Sequence, residues 1–410
     1  MVLRVFFRNF AAMKTAIVGG GAAGFFLAIN LKEMCPAMEV TILERSQRVL
    51  AKVAVSGGGR CNCTNSFRDV RDLSEVYPRG HRLLKRLFNN FDYHSAYQWF
   101  EKHGVSLVTQ DDQCVFPAVQ DSRAIINCFM IETRRLGIEV KTGCGISSLD
   151  EVSDYDFVAV TTGGQPQQKG LGWLTGHEIV KPVPSLFTLS IADDALCHMM
   201  GVVVEPVTVA IPGTKMRAEG PLLITHWGMS GPAILKLSSY AARYLHDCQY
   251  QTPLAINWTS HKEDEVRKEL TALAGVNAQK LLTTICPFGL PSRLWAYLVE
   301  KTLGQRGRSP WGSLNQKETS RLVNALCNDT YQTAGRTAFK DEFVTCGGIA
   351  LSAVNPSTLE SRTHRHLYFA GEVLDIDGIT GGFNFQAAWT TAYTVARAIT
   401  AEVSKGVTLD

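Results

Sequence analysis

The stretch S-G-G-G-R-C-N-C-T-N, from Ser56 to Asn65, holds several residue types that could do chemistry. Cys61 and Cys63 could be metal ligands or a redox dithiol, and the three glycines could present backbone N–H groups to an anion. A structural zinc site needs four ligands, usually with C-x-x-C spacing, and the sequence shows no matching cluster of cysteine and histidine. A redox dithiol would more often have C-x-x-C spacing as well. The pattern therefore favours a backbone cradle, with both thiols as small, partly buried side chains.

A second glycine cluster lies near the N-terminus, where Gly19, Gly21 and Gly24 fit the pattern G-x-G-x-x-G. A predicted strand, Thr15 to Val18, precedes it, a helical pattern follows it, and Glu44 ends the next predicted strand. In this context the glycines allow a tight turn, close approach to a pyrophosphate, and close packing of helix on strand. Glu44 would accept hydrogen bonds from ribose hydroxyls and would disfavour a 2′-phosphate. The cluster therefore predicts a site for FAD or NAD rather than NADP.

The segment Y-F-A-G-E-V-L-D-I-D-G-I-T-G-G-F-N-F-Q, from Tyr368 to Gln386, favours FAD over NAD. Its pattern predicts a strand, a glycine loop and the start of a helix, so a second helix N-terminus would point at an electron-rich group. A flavin needs such partial positive charge near N1 and O2 when its ring is reduced. We expect Glu372 and Asp375 to bind ribitol or ribose hydroxyls. The backbone from Gly381 to Asn384 would face the isoalloxazine ring.

In this interpretation the stretch from Ser56 to Asn65 lies along the phosphates or the edge of the flavin. Its glycines would supply N–H groups, while Arg60 would either offset pyrophosphate charge or order the loop. Lys52 would either pair with a phosphate or stay solvated. The full set of expected FAD contacts is Gly19, Gly21, Ala22, Ala23, Gly24, Glu44, Arg45, Lys52, Ser56, Gly57, Gly58, Gly59, Arg60, Cys61, Asn62, Thr64, Thr162, Gly163, Gly164, Gly371, Glu372, Asp375, Gly381, Gly382, Phe383 and Asn384.

Four motifs span residues 15 to 386: G-G-G-A-A-G, G-G-G-R-C-N-x-T-N, T-H-W-G-M-S-G-P (Thr225 to Pro232) and G-E-x-L-D-x-x-G-x-x-G-G-x-N-x-Q. Together they resemble the motifs of the bacterial FAD-binding oxidoreductases of the BaiN/aminoacetone-oxidase-like family. The resemblance implies an FAD domain built from both chain ends, with an inserted small β-barrel that carries a helical insertion. The chain departs from the family pattern in a shorter loop after Gly164 and in Cys346, which stands where a small residue is usual.

The elements that must position these residues have an α/β pattern. Buried strand patterns alternate with helical ones in the first half, and residues 81–103 and 124–135 are expected to be helical. After about Lys181 short β-like runs predict a small antiparallel sheet or barrel. The fold class is therefore α/β, a discontinuous Rossmann-like FAD-binding domain with an inserted β-barrel and helical insertion. The expected limits are 1–187 and 342–410 for the FAD-binding domain, 188–258 and 329–341 for the barrel, and 259–328 for the helical insertion.

Composition sets limits on the partners. Hydrophobic residues make up 45% and charged residues 19% of 410, as in ordinary globular proteins, and the net charge is only +3. This nearly even charge balance does not indicate a broadly basic surface for binding nucleic acid or an anionic membrane. The 11 cysteines are expected to be reduced thiols of a cytoplasmic protein. Residues 1–12 precede a second methionine, Met13, and are interpreted as an upstream extension rather than a targeting segment.

We expect an FAD-dependent oxidoreductase with non-covalent FAD that passes hydride between a small organic substrate and flavin N5. Two residues are candidates for a catalytic role. His226 could be an acid or base, or it could equally be structural, and Cys61 could lie near the flavin ring and modulate its reactivity. The electron donor could be NADH or NADPH docked transiently, or the enzyme could be an oxidase that reduces O₂. The alternatives are a flavin-dependent RNA-modification protein and a flavin-binding module without turnover.

Replacing Cys63 with serine should leave the FAD content of the purified protein unchanged, because the thiol is expected only to fill space in the loop. The visible absorbance of the variant, divided by its protein concentration, measures this content. A colourless Cys63→Ser protein beside a yellow parent would contradict the expectation.

Overall fold

The computed structural model describes residues 13–165, 168–336 and 344–408, which form two compact units. One unit holds the described residues up to Val183 and those from Val344 onward, and the other runs from Pro184 to Arg336. The predicted fold class, a discontinuous Rossmann-like unit interrupted by a barrel with a helical insertion, is confirmed. The exact domain limits stay predictions, and the extension at residues 1–12 lies outside the described residues.

The bounds of the regular elements follow, in chain order. The strands are β1 (Lys14–Val18), β2 (Glu39–Glu44), β3 (Thr64–Asn65), β4 (Leu107–Thr109), β5 (Cys114–Pro117), β6 (Glu139–Thr142), β7 (Phe157–Val160), β8 (Ile179–Ser185), β9 (Leu189–Ile191), β10 (Val203–Ala210), β11 (Arg217–Thr225), β12 (Gly228–Ser230), β13 (Pro253–Asn257), β14 (Asp329–Arg336), β15 (Val344–Ile349) and β16 (Leu367–Phe369). The helices are α1 (Ala22–Met34), α2 (Ala51–Gly59), α3 (His81–Leu87), α4 (Tyr93–Lys102), α5 (Arg123–Arg135), α6 (Asp194–Cys197), α7 (Pro232–Tyr240), α8 (Ala242–Asp247), α9 (Glu263–Val276), α10 (Ser292–Leu303), α11 (Gln316–Cys327) and α12 (Phe383–Thr408).

A parallel sheet in the order β16–β7–β1–β2–β6 forms the centre of the first unit. Val18, at the end of β1, pairs with Leu43 on one side and with Val160 on the other, and Val160 pairs with Phe369 of β16. Because parallel strands end at the same edge, this register brings the residues after β1, β2, β7 and β16 together. Segments from both halves of the sequence therefore meet at the carboxyl edge of one sheet.

Helices α1 and α12 pack together through a core of aromatic side chains. Trp389 of α12 is fully buried, and its ring lies 5.1 Å from that of Phe26 on α1 and 5.5 Å from that of Phe100 on α4. Full burial of each large apolar side chain contributes about 1.5–3 kcal/mol. This packing holds α12 against α1.

The second unit is a closed barrel in the strand order β10–β11–β12–β9–β14–β13. Helices α9 to α11 lie in sequence between β13 and β14, as the predicted helical insertion requires. The buried carboxylate of Asp329, the first residue of β14, ties α10 to the barrel: it accepts from Trp258 Nε1 at 3.0 Å and from Lys301 Nζ of α10 at 2.7 Å.

The helical pattern expected over residues 81–103 is divided into two helices, α3 and α4. The break precedes Asp92, whose carboxylate accepts from the backbone N–H of Ser95 at 2.9 Å and from its hydroxyl at 2.8 Å. This side chain satisfies an N–H group that has no partner in a new first turn, so it starts a second helix where hydrophobic spacing alone predicts continuity.

Replacing Asp92 with alanine should lower the free energy of unfolding by about 1 kcal/mol, because the first turn of α4 loses its cap. Urea denaturation measures the change, and Asp92→Asn is the matched control, since asparagine caps about as well as aspartate. Equal stability of the alanine and asparagine variants would show that the cap does not stabilise α4.

Candidate functional site

The turn between β1 and α1 has two glycines that the fold requires and one that faces open space. Gly19 has φ +119°, and a Cβ there would lie 2.5 Å from the carbonyl oxygen of Thr161. A Cβ on Gly24 would overlap the carbonyl oxygen of Gly19, so strand and helix can approach only without it. A Cβ on Gly21 would meet no atom within 4 Å. The free space therefore lies at the N-terminus of α1, where backbone N–H groups bind anions.

The first turn of α1 also contacts the glycine-rich segment near the C-terminus. A Cβ on Gly371, which has φ +78°, would lie 2.9 Å from Cβ of Ala23. The N–H of Gly371 donates to the Thr391 hydroxyl of α12 at 2.9 Å. Ala22 and Ala23 thus lie where the two predicted cofactor segments meet.

Glu44 ends β2, and neighbouring backbone groups fix its side chain. One carboxylate oxygen accepts from the N–H of Gly20 at 2.8 Å, and the other accepts from the N–H of Ser46 at 2.7 Å. A carboxylate has about four acceptor positions, so two remain for ribose hydroxyls. The side chain of Arg45 is exposed and packs beside Gly145, where a Cβ would lie 3.0 Å from Arg45 Cγ.

The loop after Ser56 turns back on itself through three consecutive glycines. Gly57, Gly58 and Gly59 have φ values of +57°, +67° and +83°, which side-chain-bearing residues rarely adopt. Arg60 folds over the loop: its Nε donates to the carbonyl of Gly57 at 3.2 Å, and its guanidinium carbon lies 4.2 Å from the centre of the Phe116 ring. Arg60 therefore orders the loop, and a further contact with pyrophosphate stays a prediction.

The same loop is hydrogen-bonded to the loop and helix at the C-terminus. With its amide oriented to satisfy its neighbours, Asn62 accepts from Gly382 N–H and donates to the carbonyl of Thr64. The bonds between the two segments are Gly382 N to Asn62 Oδ1 (3.2 Å), Thr64 Oγ1 to Gln386 Oε1 (2.6 Å), Asn65 Nδ2 to Gly381 O (3.0 Å) and Trp389 Nε1 to Cys63 O (2.7 Å). More than 300 residues of sequence separate these partners. The two segments that were expected to contact FAD thus form one structure.

Both cysteines of this loop are fully buried free thiols. Burial raises the pKa of Cys61 to about 12 although the Ser56 hydroxyl opposes the shift, and burial also raises the pKa of Cys63 well above its usual value. Both stay neutral near pH 7, unlike reactive cysteines, whose pKa is lowered. Among the described residues, the group of side chains that could hold a metal is Glu33, His103 and Glu132, which includes neither thiol.

The segment T-T-G-G after β7 includes a buried polar group, the hydroxyl of Thr162. Thr161 donates to the carbonyl of Gly19 at 2.9 Å, but the buried hydroxyl of Thr162 has no hydrogen-bond partner in the part of the chain that the structure describes. A buried hydroxyl without a partner costs free energy, so its position suits a ligand. Gly163 and Gly164 follow, and a Cβ on Gly164 would overlap Glu372.

Glu372 and Lys52 pair across the carboxyl edge of the sheet. Lys52 Nζ lies 2.8 Å from one Glu372 oxygen, and the other oxygen accepts from the N–H of Thr345 at 2.7 Å. The sequence predicts a phosphate partner or solvent for Lys52. Its side chain is 53% exposed, and the pairing with Glu372, which is 19% exposed, is a further contact that the sequence did not indicate.

The loop before α12 is closed by Asn384, whose side chain accepts from Gly378 N–H at 2.8 Å and donates to its carbonyl at 2.9 Å. Phe383 begins the helix. The backbone N–H of Asp375 donates to the carbonyl of Ile349 at 3.0 Å. The side chain of the next acid, Asp377, is wholly buried and forms an ion pair with Arg79. Asp377, Arg79 and Gln386 were not among the FAD contacts expected from the sequence. The D-x-D spacing was the available signal for the first of these.

The residues at the carboxyl edge of the sheet fit a bound FAD. The free space at Gly21, the hydroxyl of Thr162 and the oriented carboxylate of Glu44 lie along one edge of the sheet. The N-terminus of α12 follows a glycine loop anchored to the Ser56–Asn65 segment. The donors are mostly backbone N–H groups, as an elongated anionic dinucleotide requires.

His226 lies in the barrel unit, in the turn between β11 and β12. Its side chain is exposed, and its ring lies 4.3 Å from that of Trp227. Among the described residues it makes no hydrogen bond that would fix it as an acid or base. A catalytic role for His226 stays a prediction.

Comparison with known families matches residues 13–398 to the family described as the HI0933-like protein Rossmann domain. The chain belongs to the HI0933-like family. The resemblance inferred from the four motifs is thereby confirmed, and with it the expectation of an FAD-dependent oxidoreductase. Membership covers nearly all the described residues, including both chain-end segments of the HI0933-like domain.

Three relatives match almost the whole chain. A protein of Clostridium scindens named 3-dehydro-bile acid delta(4,6)-reductase is 27% identical, over 94% of this chain and 98% of its own. Two proteins named ribosomal RNA dihydrouridine synthase are similar: that of Haemophilus influenzae is 25% identical, over 93% and 97% of the two chains, and that of Escherichia coli 27%, over 95% and 98%. Among the described residues of this HI0933-like protein, no helix is both long and apolar enough to span a membrane.

Replacing Gly21 with alanine should weaken FAD binding by about tenfold or more without loss of stability. Alanine readily adopts φ −92° and meets open space, but its methyl group would keep the backbone from a pyrophosphate. Fluorescence titration of the apoprotein with FAD measures the affinity. Gly275→Ala, on α9 of the other unit, also adds a methyl group in open space and should bind like the parent. Parent-like binding by Gly21→Ala would contradict the assigned role.

Proposed function

We propose that this chain is an FAD-dependent reductase that saturates an electron-poor C=C bond conjugated with a carbonyl group in a small organic substrate. The observation that carries the proposal is the junction of the Ser56–Asn65 segment with the glycine loop before α12, which builds one site from both chain ends. FAD bound there would supply hydride from N5 of the reduced ring.

The names of the relatives support the type of reaction. One is named for reduction of a 3-dehydro bile acid at positions 4 and 6, and two for making dihydrouridine in ribosomal RNA. Each name describes the addition of two hydrogens to a C=C bond conjugated with a carbonyl. Hydride would add to the carbon β to the carbonyl, and a proton from an acid or water would add to the α carbon.

The residues of this chain would bind and orient rather than act as nucleophiles. The N–H groups at the start of α1 would hold the pyrophosphate, Glu44 the adenosine ribose, and Glu372 with Lys52 the ribitol or phosphate region. The N-terminus of α12 would place partial positive charge where negative charge grows during reduction. Cys61 and Cys63, both neutral, would keep this environment free of a competing thiolate.

The electron donor is proposed to be NADH or NADPH. The sequence holds no second G-x-G-x-x-G unit with its own acid, so the nicotinamide would dock transiently at the ring face rather than occupy a resident site. An oxidase that returns electrons to O₂ is the competing scheme, and the two differ in whether a nicotinamide bleaches the flavin.

The test is anaerobic mixing of purified protein with NADH or NADPH, followed by an acceptor. We expect rapid loss of the flavin absorbance at ~450 nm, and its return when cyclohex-2-enone or a steroidal 4,6-dien-3-one is added. Mass spectrometry should then show product that has gained two hydrogens. Gly21→Ala, with less bound FAD, should give a proportionally smaller signal. A flavin that neither nicotinamide reduces, or that no enone reoxidises, would contradict the proposal.

RNA is the second candidate substrate, favoured by the names of two relatives. The net charge of +3 and the mixed signs in the helical insertion weigh against a broad RNA surface. A uridine-rich oligonucleotide belongs in the same assay. Reoxidation by this RNA but not by either enone would replace the small-molecule substrate with a uracil base.

A further inference from the structure

A short segment from Val76 to Gly80 lies along the glycine loop that precedes α12. Ile379 donates its N–H to the carbonyl of Val76 at 2.9 Å, and the Tyr77 hydroxyl donates to the carbonyl of Phe383 at 2.8 Å. Just beyond Tyr77, the backbone of Arg79 forms an antiparallel bridge with that of Asp377, which precedes Ile379. The loop is therefore held on both sides of its glycines by residues about 300 positions earlier in the chain.

An ion pair lies at the centre of this contact. Arg79 Nε donates to one oxygen of Asp377 at 2.5 Å, and Arg79 Nη2 donates to the other, so the guanidinium makes a bidentate contact with the carboxylate. The Asp377 side chain is fully buried, and only 12% of the Arg79 side chain is exposed. Asp375 and Cys346 are also close enough to act electrostatically on Arg79. Such buried charges persist only when each has its partner.

Glycines on both sides allow the segment and the loop to touch. A Cβ on Gly80, where φ is +82°, would lie 2.6 Å from Cγ1 of Ile376, and a Cβ on Gly378 would lie 3.2 Å from the Tyr77 ring. Neither contact leaves room for a larger side chain. The position of the loop is therefore determined by the segment on which it packs.

We propose that Arg79 and Asp377 are positioning residues, which fix the loop Gly378–Gly382 against the isoalloxazine ring and balance the charge beside it. The proposal rests on the proposed function only in requiring that the chain binds FAD. Asp377 follows Asp375 by two residues and precedes the glycines expected to face the ring. Because the pair is buried, a charge left by removing either partner is poorly screened and acts on the reduced, negatively charged flavin.

The test compares the midpoint potential of bound FAD in two single variants. Asp377→Asn leaves the Arg79 cation, which should stabilise the reduced ring and raise the potential. Arg79→Met leaves the Asp377 carboxylate, which should lower it. Both should bind FAD about tenfold more weakly, since the loop loses preorganisation. Opposite shifts are the decisive readout, because simple loosening of the fold would not give the two variants opposite signs.

A double variant covers the case in which an unpaired buried charge prevents folding. Arg79→Met with Asp377→Leu removes both charges, and such replacements often fold well. It should match the parent in melting temperature yet bind FAD about tenfold more weakly. Arg306→Met is the matched control: Arg306 makes a forked contact with the buried Glu318 in the other unit, and its loss should leave FAD affinity and potential unchanged.

Two results would overturn the proposal. One is a pair of folded single variants whose potentials stay equal to that of the parent or shift in the same direction. The other is a folded double variant with parent-like FAD affinity. A parent protein that binds no FAD at all would instead refute the proposed function, so the two failures are distinguishable.

Discussion

The hydrogen bonds between the Ser56–Asn65 segment and the start of α12 are the constraint on which the rest of the structure depends. Asn62, Thr64 and Asn65 bond to the loop and helix that begin more than 300 residues later. The sheet reinforces this closure, because β16 pairs with β7 and so brings the final glycine motif to the edge where β1 and β2 also end. An entire second unit is inserted between the two halves without interrupting this arrangement.

The site obtains its chemical character from backbone dipoles and fixed carboxylates rather than from reactive side chains. The thiols of Cys61 and Cys63 are buried and neutral, and Arg60 is stacked over Phe116. Glu44 is held by two N–H groups, and Glu372 by Lys52 and a backbone N–H. Preorganised dipoles of this kind lose little free energy to reorganisation when charge develops nearby, which suits an enzyme whose cofactor carries the chemistry.

The sequence was most informative where local backbone geometry dictates residue type. The glycines at 19 and 24, the acid at 44 and the strand–loop–helix pattern after Tyr368 are local signals, and each element lies where they predict. The pairings of Lys52 with Glu372 and of Arg79 with Asp377 could not be predicted, because they join positions about 300 residues apart. The break before Asp92 was missed for a different reason: a capping side chain overrode a continuous hydrophobic period.

Hydrogen exchange with and without added FAD tests most directly whether both chain ends form one cofactor site. The account predicts that FAD slows amide exchange simultaneously in three separate peptides: Gly19–Gly24, Ser56–Asn65 and Gly378–Gln386. Protection confined to the first of these peptides would show a nucleotide-binding turn without a flavin site. Unchanged exchange in all three, at saturating FAD, would contradict the account altogether.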